Sequence, residues 1–210
     1  MTDHAAARTT VQQSRAAAEF ERQYARDADP WGYESNAYER AKYAATLAAL
    51  PRARYGSALE IGCSIGVLTA QLAERCDRLL AIDFAETALT RARHRLAQQP
   101  QVEFRRLTLP GEYPPERFDL TLLSEVGYYW SLDDLRAAKE RMIAGLTGGG
   151  HLLLVHWTPP IDDAPLTGDE VHEEFLHRNG HLLDHLVGQR LETYRIDLFA
   201  RRQDEGTSTT

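Results

Sequence analysis

The stretch Ala58-Leu59-Glu60-Ile61-Gly62-Cys63-Ser64-Ile65-Gly66-Val67-Leu68-Thr69, followed by Leu79-Leu80-Ala81-Ile82-Asp83-Phe84, decides how this 210-residue chain is read. An apolar run enters a turn of small residues, a helix leaves it, and a second apolar run ends on an acid about twenty residues further on, the layout of a nucleotide site at the switch point of a parallel sheet. Gly62 and Gly66 permit positive φ angles and close backbone approach to a ligand. Asp83, at the end of the second strand, can accept two hydrogen bonds from the vicinal hydroxyls of a ribose.

The acid before the turn separates the adenosine ligands from one another. Glu60 places a carboxylate where a pyrophosphate-binding loop is apolar or glycine, and a carboxylate there repels phosphate and attracts a cationic amine. With Glu60-x-Gly62-x-x-x-Gly66 and Asp83, the chain resembles the class I S-adenosylmethionine-dependent methyltransferases, whose pattern is acid-x-Gly-x-Gly-x-Gly. The resemblance implies S-adenosyl-L-methionine as cofactor, with an ammonium and a sulfonium in place of phosphates. Ser64 stands where the middle glycine is usual, and serine is small enough for the turn.

Length and 43% hydrophobic composition fit one α/β domain with a sizeable core. A formal net charge of −7 without a basic cluster lacks the footprint of a nucleic-acid binder and favours small neutral or cationic substrates. Two cysteines, Cys63 and Cys76, in the turn and the following helix, read as reduced thiols and not as a disulfide framework. Neither a signal-peptide stretch in Met1 to Ala18 nor a run of membrane-spanning length is present, so a soluble cytoplasmic protein is expected.

Residues 1–13 and 203–210 read as disordered ends, with a single domain over 14–202 in which 14–50 forms a helical cap. Within that cap, helices are predicted over Ser14 to Arg26 and Tyr38 to Leu50. Strands are then predicted at Ser57 to Gly62, Arg78 to Asp83, Val102 to Leu107, Phe118 to Ser124 and His151 to His156. The intervening helices cover Val67 to Arg75, Glu86 to Gln98 and Leu132 to Leu146, with a turn at Gly148-Gly149-Gly150. This alternation predicts an α/β, Rossmann-like, doubly wound sheet. Thr158 to Leu166 reads as an irregular flap, Thr167 to Glu170 as a capping box opening a helix that ends near Asn179-Gly180, and Leu191 to Ala200 as a final strand. In the methyltransferase fold, a sheet of seven strands, such a strand enters antiparallel at the sheet edge.

In an open α/β sheet the ligand lies outside the carboxyl ends of the strands, which gathers distant residues into one neighbourhood. Those ends are Glu60 to Gly66, Asp83-Phe84, Leu107-Thr108-Leu109, Ser124-Glu125 and His156-Trp157. The methyltransferases usually carry an acid beside the adenine amino group where this chain has Thr108, whose hydroxyl can accept the same bond. Glu125 could act as a base, hold a substrate amine, or cap the helix that starts after Ser131. Tyr128 and Tyr129 either pack in the core or flank a sulfonium or a substrate ring. His156 is either a base for an ammonium nucleophile or a satisfied core histidine. His172, His177, His181 and His185 suggest a metal cluster by count alone, but Asn179-Gly180 interrupts them and no cysteine or paired carboxylate completes a ligand set, so no metal is expected.

Asp29-Pro30-Trp31-Gly32-Tyr33-Glu34-Ser35-Asn36-Ala37-Tyr38-Glu39-Arg40-Ala41-Lys42-Tyr43, with Leu59 to Ser64, Ser124 to Tyr129 and Leu154 to Trp157, resembles the nodulation protein S type methyltransferases over roughly Phe20 to Arg201. The resemblance implies N-methylation of the free amino sugar of a deacetylated chitooligosaccharide and a segment from Trp31 to Tyr43 that folds over the cofactor. With the strand ends, this gives an expected cofactor site of Trp31, Tyr38, Glu60, Gly62, Cys63, Ser64, Gly66, Asp83, Phe84, Leu107, Thr108, Leu109, Ser124 and Glu125, with Glu125, His156 and Tyr128 the candidates for the chemistry. The expected partner is a small-molecule or oligosaccharide acceptor, not nucleic acid or membrane, and the expected state is a monomer or weak homodimer. O-methylation of a small molecule and a non-catalytic S-adenosylmethionine-binding module are the alternatives. An arginine methyltransferase needs a further β-barrel, a DNA or glutamine N-methyltransferase needs an Asn/Asp-Pro-Pro-aromatic tetrapeptide after the fourth strand, and a nicotinamide dehydrogenase needs an apolar residue at position 60.

Overall fold

The computed structural model describes residues 19–177 and 181–203. The expected disordered ends 1–13 and 204–210, the first residues of the predicted helix from Ser14, and the helix stop at Asn179-Gly180 lie outside them. The N-terminal cap comprises a helical segment over 19–26 (α1) and α2, Ala37–Ala48. The α/β body then runs β1 (Ala58–Ile61), α3 (Val67–Ala73), β2 (Leu79–Asp83), α4 (Glu86–Arg95), β3 (Val102–Arg106) and β4 (Phe118–Ser124). A 3-10 turn over Gly127–Tyr129 leads into α5 (Leu132–Gly145), β5 (Leu146–Trp157), α6 (Gly168–His177), β6 (Leu183–Arg190) and β7 (Tyr194–Arg201).

The seven strands lie in the order β3-β2-β1-β4-β5-β7-β6. The first five are parallel, and β7 runs antiparallel to both β5 and β6. Every residue of β1 and β2 is buried, as parallel strands covered on both faces require. Leu59, Ile82, Leu123 and Leu154 pack under α5 and α6 on one face, while Leu79, Leu120, Leu122 and Val155 pack under α2 and α3 on the other. Because β1 is flanked by β2 on one side and β4 on the other, the strand order reverses there and a crevice opens above its carboxyl end.

Three sequence expectations are corrected. The final strand is not at the sheet edge: β7 is inserted beside β5, and β6 forms the edge. Sequence reading missed β6 because Asp184, His185, Gln189 and Arg190 face solvent along it, as suits an edge strand, leaving no apolar alternation to detect. The three glycines belong to the start of β5, where the register shifts between Phe118, paired to Leu146, and Leu120, paired to His151. The capping box does form, with Thr167 N–H donating to Glu170 Oε2 at 2.7 Å and Glu170 N–H to Thr167 Oγ1 at 3.2 Å.

Gly62 is required at the end of β1 by the protein's own backbone. Its φ is +81°, and a Cβ there would lie 2.1 Å from Val126 Cγ2 and 3.3 Å from Ser124 O. Gly62→Ala is therefore expected to destabilise the fold by about 2–4 kcal/mol, combining left-handed strain with overpacking. Urea denaturation measures this, and a cost below about 0.5 kcal/mol, within the range of a neutral surface change, would contradict the account.

Candidate cofactor and acceptor site

The loop after β1 is tied down before any ligand arrives. Gly62 and Cys63 N–H both donate to Ile82 O, at 2.8 and 3.1 Å. Ser64 N–H donates to Asp83 Oδ2 at 3.0 Å, and Ala85 N–H to Asp83 Oδ1 at 2.9 Å. Each Asp83 oxygen thus takes one backbone donor and keeps capacity for a further hydrogen bond. Ser64 adopts φ 51°, which explains why glycine is usual at this position, and its hydroxyl lies 2.5 Å from Tyr24 Oη on α1. The departure from glycine thereby links the loop to the cap.

The cap folds over the crevice through local geometry that the sequence specifies. Asp29 accepts from Tyr33 N–H at 2.8 Å and Glu34 N–H at 2.9 Å, while Gly32 turns at φ +69°. This places Trp31 and Tyr33 in a stacked pair with ring centroids 5.7 Å apart. Phe20 bridges from α1 to Trp31, Phe84 and Tyr129 at 5.8, 5.7 and 4.7 Å. Beneath this aromatic roof lies a cavity of about 590 Å³, within the size range of small-ligand sites.

Of the residues expected at the site, Trp31, Gly62, Ser64, Asp83, Phe84, Leu107, Thr108, Leu109, Ser124, Glu125 and Tyr128 line this cavity. Five others do not. Tyr38 stands aside, its hydroxyl 2.9 Å from Thr193 Oγ1 and its ring edge-on to Trp157 and Tyr194. The Cys63 side chain is buried with Ala81 and Leu89, and Gly66 serves the packing of the loop against Ala92 of α4 and Leu96 just after it. Glu60 is buried below the loop at 1% exposure.

His156, the fifth, is fully buried, and its Nε2 accepts the Gly127 N–H at 3.1 Å. Its Nδ1 lies 3.0 Å from His172 Nε2, and His172 Nδ1 lies 2.6 Å from Asp197 Oδ2. Burial, with the neighbouring His172 and Lys42 adding to it, holds His156 well below the usual imidazole range. Burial raises Asp197, but its bonds to His172, Arg195 and His185 outweigh this and hold the carboxyl below its ordinary value. His156 is therefore a neutral core histidine with both nitrogens engaged, not a base facing the crevice.

Sequence reasoning missed Glu39 and Lys42, which face the cavity from α2. Lys42 Nζ donates to Glu125 Oε1 at 2.6 Å and to Glu39 Oε1 at 3.1 Å. Glu125 Oε2 accepts Tyr128 Oη–H at 2.7 Å and Trp157 N–H at 2.9 Å, which holds this residue at φ 59°. Burial lowers Lys42, but the two carboxylates outweigh it and keep the ammonium above its ordinary range. The reading of Glu125 as a helix cap is corrected: Ser131 Oγ caps α5 by accepting from Asp134 N–H at 3.1 Å. Among the described residues no group of His, Cys, Asp or Glu is arranged to hold a metal ion, and no helix is long and apolar enough to cross a membrane.

Burial pushes the Glu60 carboxyl up to about 7, against the Thr69 hydroxyl, which pulls it down; the charge of Asp83 adds to the rise. A folded pKa raised above the unfolded one favours folding below the ordinary carboxylate range and withdraws that stability as pH rises through about 7. Going from about pH 5 to about pH 8 should cost the ligand-free protein about 2–3 kcal/mol more stability than it costs Glu60→Gln. Urea denaturation of both proteins at the two pH values checks this, and identical pH dependence would contradict it.

The family described as nodulation protein S (NodS) matches residues 13–156. Nodulation protein S of Rhizobium tropici is 34% identical over 127 residues, covering 60% of this chain and 53% of that protein, so the chain spans about half the length of this curated relative. A crystal structure from Pseudomonas syringae, described as a methyltransferase candidate, is 37% identical, with TM-score 0.71, covering 79% of this chain and 100% of that one. N-methyltransferase NodS from Bradyrhizobium japonicum WM9, solved in complex with S-adenosyl-L-homocysteine, shares the fold at TM-score 0.78 and 24% identity, over 90% of this chain and 98% of that one. The loop after β1, the acid ending β2, the strand order and the family match agree: the chain belongs to the nodulation protein S family of Rossmann-like methyltransferase folds.

Proposed function

We propose that this protein is an S-adenosylmethionine-dependent N-methyltransferase acting on an amino group of a small molecule or amino sugar. The observation that carries the reading is the charge of the cavity. Its lining holds three carboxylates, Glu39, Asp83 and Glu125, against the single ammonium of Lys42. Such a site repels a pyrophosphate and attracts a cation. Asp83, with open acceptor capacity at the carboxyl end of β2, suits a ribose diol. Trp31, Phe84 and Phe20 offer flat apolar faces, and Leu107 to Leu109 supply the remaining wall for an adenine. Support also comes from the relatives, one of them an N-methyltransferase bound to S-adenosyl-L-homocysteine.

Asp83, the Gly62 to Ser64 loop and the aromatic roof would hold the cofactor, which supplies an electrophilic methyl group on a sulfonium. The chain's own task is to align and desolvate a nucleophile in that cavity. Lys42, Tyr128 and Trp157 fix the Glu125 carboxylate at the mouth of β4, where it presents a stationary negative charge to an incoming amine. Trp157 and Ile161 continue the cavity wall beyond Glu125 and give the acceptor an apolar face.

Methyl transfer from S-adenosylmethionine to glucosamine or partly deacetylated chitooligosaccharides is the expected activity. Asp83→Ala should raise the KM for S-adenosylmethionine about tenfold or more, the effect of losing a charge-assisted bond to the ribose. A KM unchanged within about twofold, less than one ordinary hydrogen bond contributes, would remove Asp83 from the site.

A further inference from the structure

We infer that Glu39 is the recognition site for the ammonium group of the methyl acceptor, so that the enzyme selects amines over hydroxyl compounds. The inference rests on the methyltransferase reading above. Two carboxylates, Glu39 and Glu125, share one ammonium, that of Lys42, in a pocket where Lys42 is 3% exposed and Glu39 8%. The cluster is one positive charge short, and a buried uncompensated charge is costly.

The deficit falls on Glu39. Glu125 is satisfied by Lys42 on one oxygen and by Tyr128 and Trp157 on the other. Glu39 Oε2 lies within ion-pair distance of Lys42, 3.1 Å, but accepts no hydrogen bond. Burial raises the Glu39 carboxyl; Lys42 opposes this, while the charges of Glu125 and Asp29 add to it. A ligand carrying an N–H donor and a positive charge corrects both defects, supplying the missing hydrogen bond and the missing charge. A hydroxyl supplies only the first. The class of acceptor recognised is a primary or secondary amine that binds as its ammonium, releases one proton to solvent, and attacks the sulfonium methyl with the freed lone pair as the carbon–sulfur bond breaks and S-adenosyl-L-homocysteine leaves.

The experiment measures methyl transfer to glucosamine, tyramine and ethanolamine, each beside the counterpart bearing a hydroxyl in place of the amine: glucose, tyrosol and ethylene glycol. Calorimetric titration with S-adenosyl-L-homocysteine accompanies it for wild type, Glu39→Gln and Glu39→Asp. Transfer is expected to at least one amine and to none of the hydroxyl compounds. Glu39→Gln should raise the amine KM by about tenfold or more with a smaller change in kcat, as loss of a charge-assisted contact in ground-state binding requires. Glu39→Asp should recover part of it, and in both variants any loss of affinity for S-adenosyl-L-homocysteine should be smaller than the rise in amine KM.

If wild type does not bind S-adenosyl-L-homocysteine, the methyltransferase reading falls and this inference falls with it. If it binds, this inference alone is overturned by any of three results: no transfer to the amines, equal transfer to the hydroxyl compounds, or an amine KM that Glu39→Gln leaves unchanged. A Glu39→Gln effect confined to S-adenosyl-L-homocysteine affinity also overturns it, because Glu39 would then hold the cofactor's amine.

Discussion

The contact between Lys42 and Glu125 joins two parts of the chain 83 residues apart and gives the site its form. It brings α2 of the cap down onto the turn after β4, so the crevice at the switch point becomes a roofed cavity. A buried ion pair is a poor source of net stability, since desolvation offsets most of the Coulomb attraction. Its effect is on geometry. With one end of Glu125 fixed by Lys42 and the other by Tyr128 and Trp157, the carboxylate holds a left-handed backbone angle. On the opposite wall Asp83 does the corresponding work, gathering the backbone of Ser64 and Ala85.

How much was legible in the sequence follows from which forces shape each part. The turn after β1 could be read because backbone geometry admits few residues there: Gly62 sits at φ +81° against Val126, and Asp83 ends an apolar strand. The cap's contribution was hidden for the opposite reason. Glu39, Lys42, Tyr43 and Thr46 form the buried stripe of α2, at the spacing of one helix face, yet a stripe containing Glu and Lys reads as a solvated surface. The available signal was the company those charges keep, since a solvated face has no need of Tyr43 and Thr46 in the same row. Edge strand β6 escaped because an edge exposes polar residues on most positions.

His156 shows a different limit. Its place at the end of an apolar strand was readable, but which way the imidazole points depends on residues far away in sequence. His172 from α6 and Asp197 from β7 draw it into the interior, away from the crevice. The chain of contacts links β5, α6 and β7, and through Gly127 N–H it reaches the turn that carries Tyr128. A histidine that looks like a base is thereby part of the scaffold supporting the acidic wall. What remains at the wall is fixed negative charge, and a nucleophilic amine needs placement and desolvation more than it needs a dedicated imidazole.

A lining of three carboxylates and one paired lysine suits a cationic adenosyl ligand and opposes a phosphate-bearing one. The most direct measurement is calorimetric titration of the full chain with S-adenosylmethionine, S-adenosyl-L-homocysteine and NAD at low ionic strength, where electrostatic selection is least screened. Saturable one-site binding of the two adenosyl sulfur compounds, with no measurable binding of NAD, is the expected result. Binding of NAD in place of the other two would contradict it, because a lining with three carboxylates and one paired lysine would then have accepted a pyrophosphate.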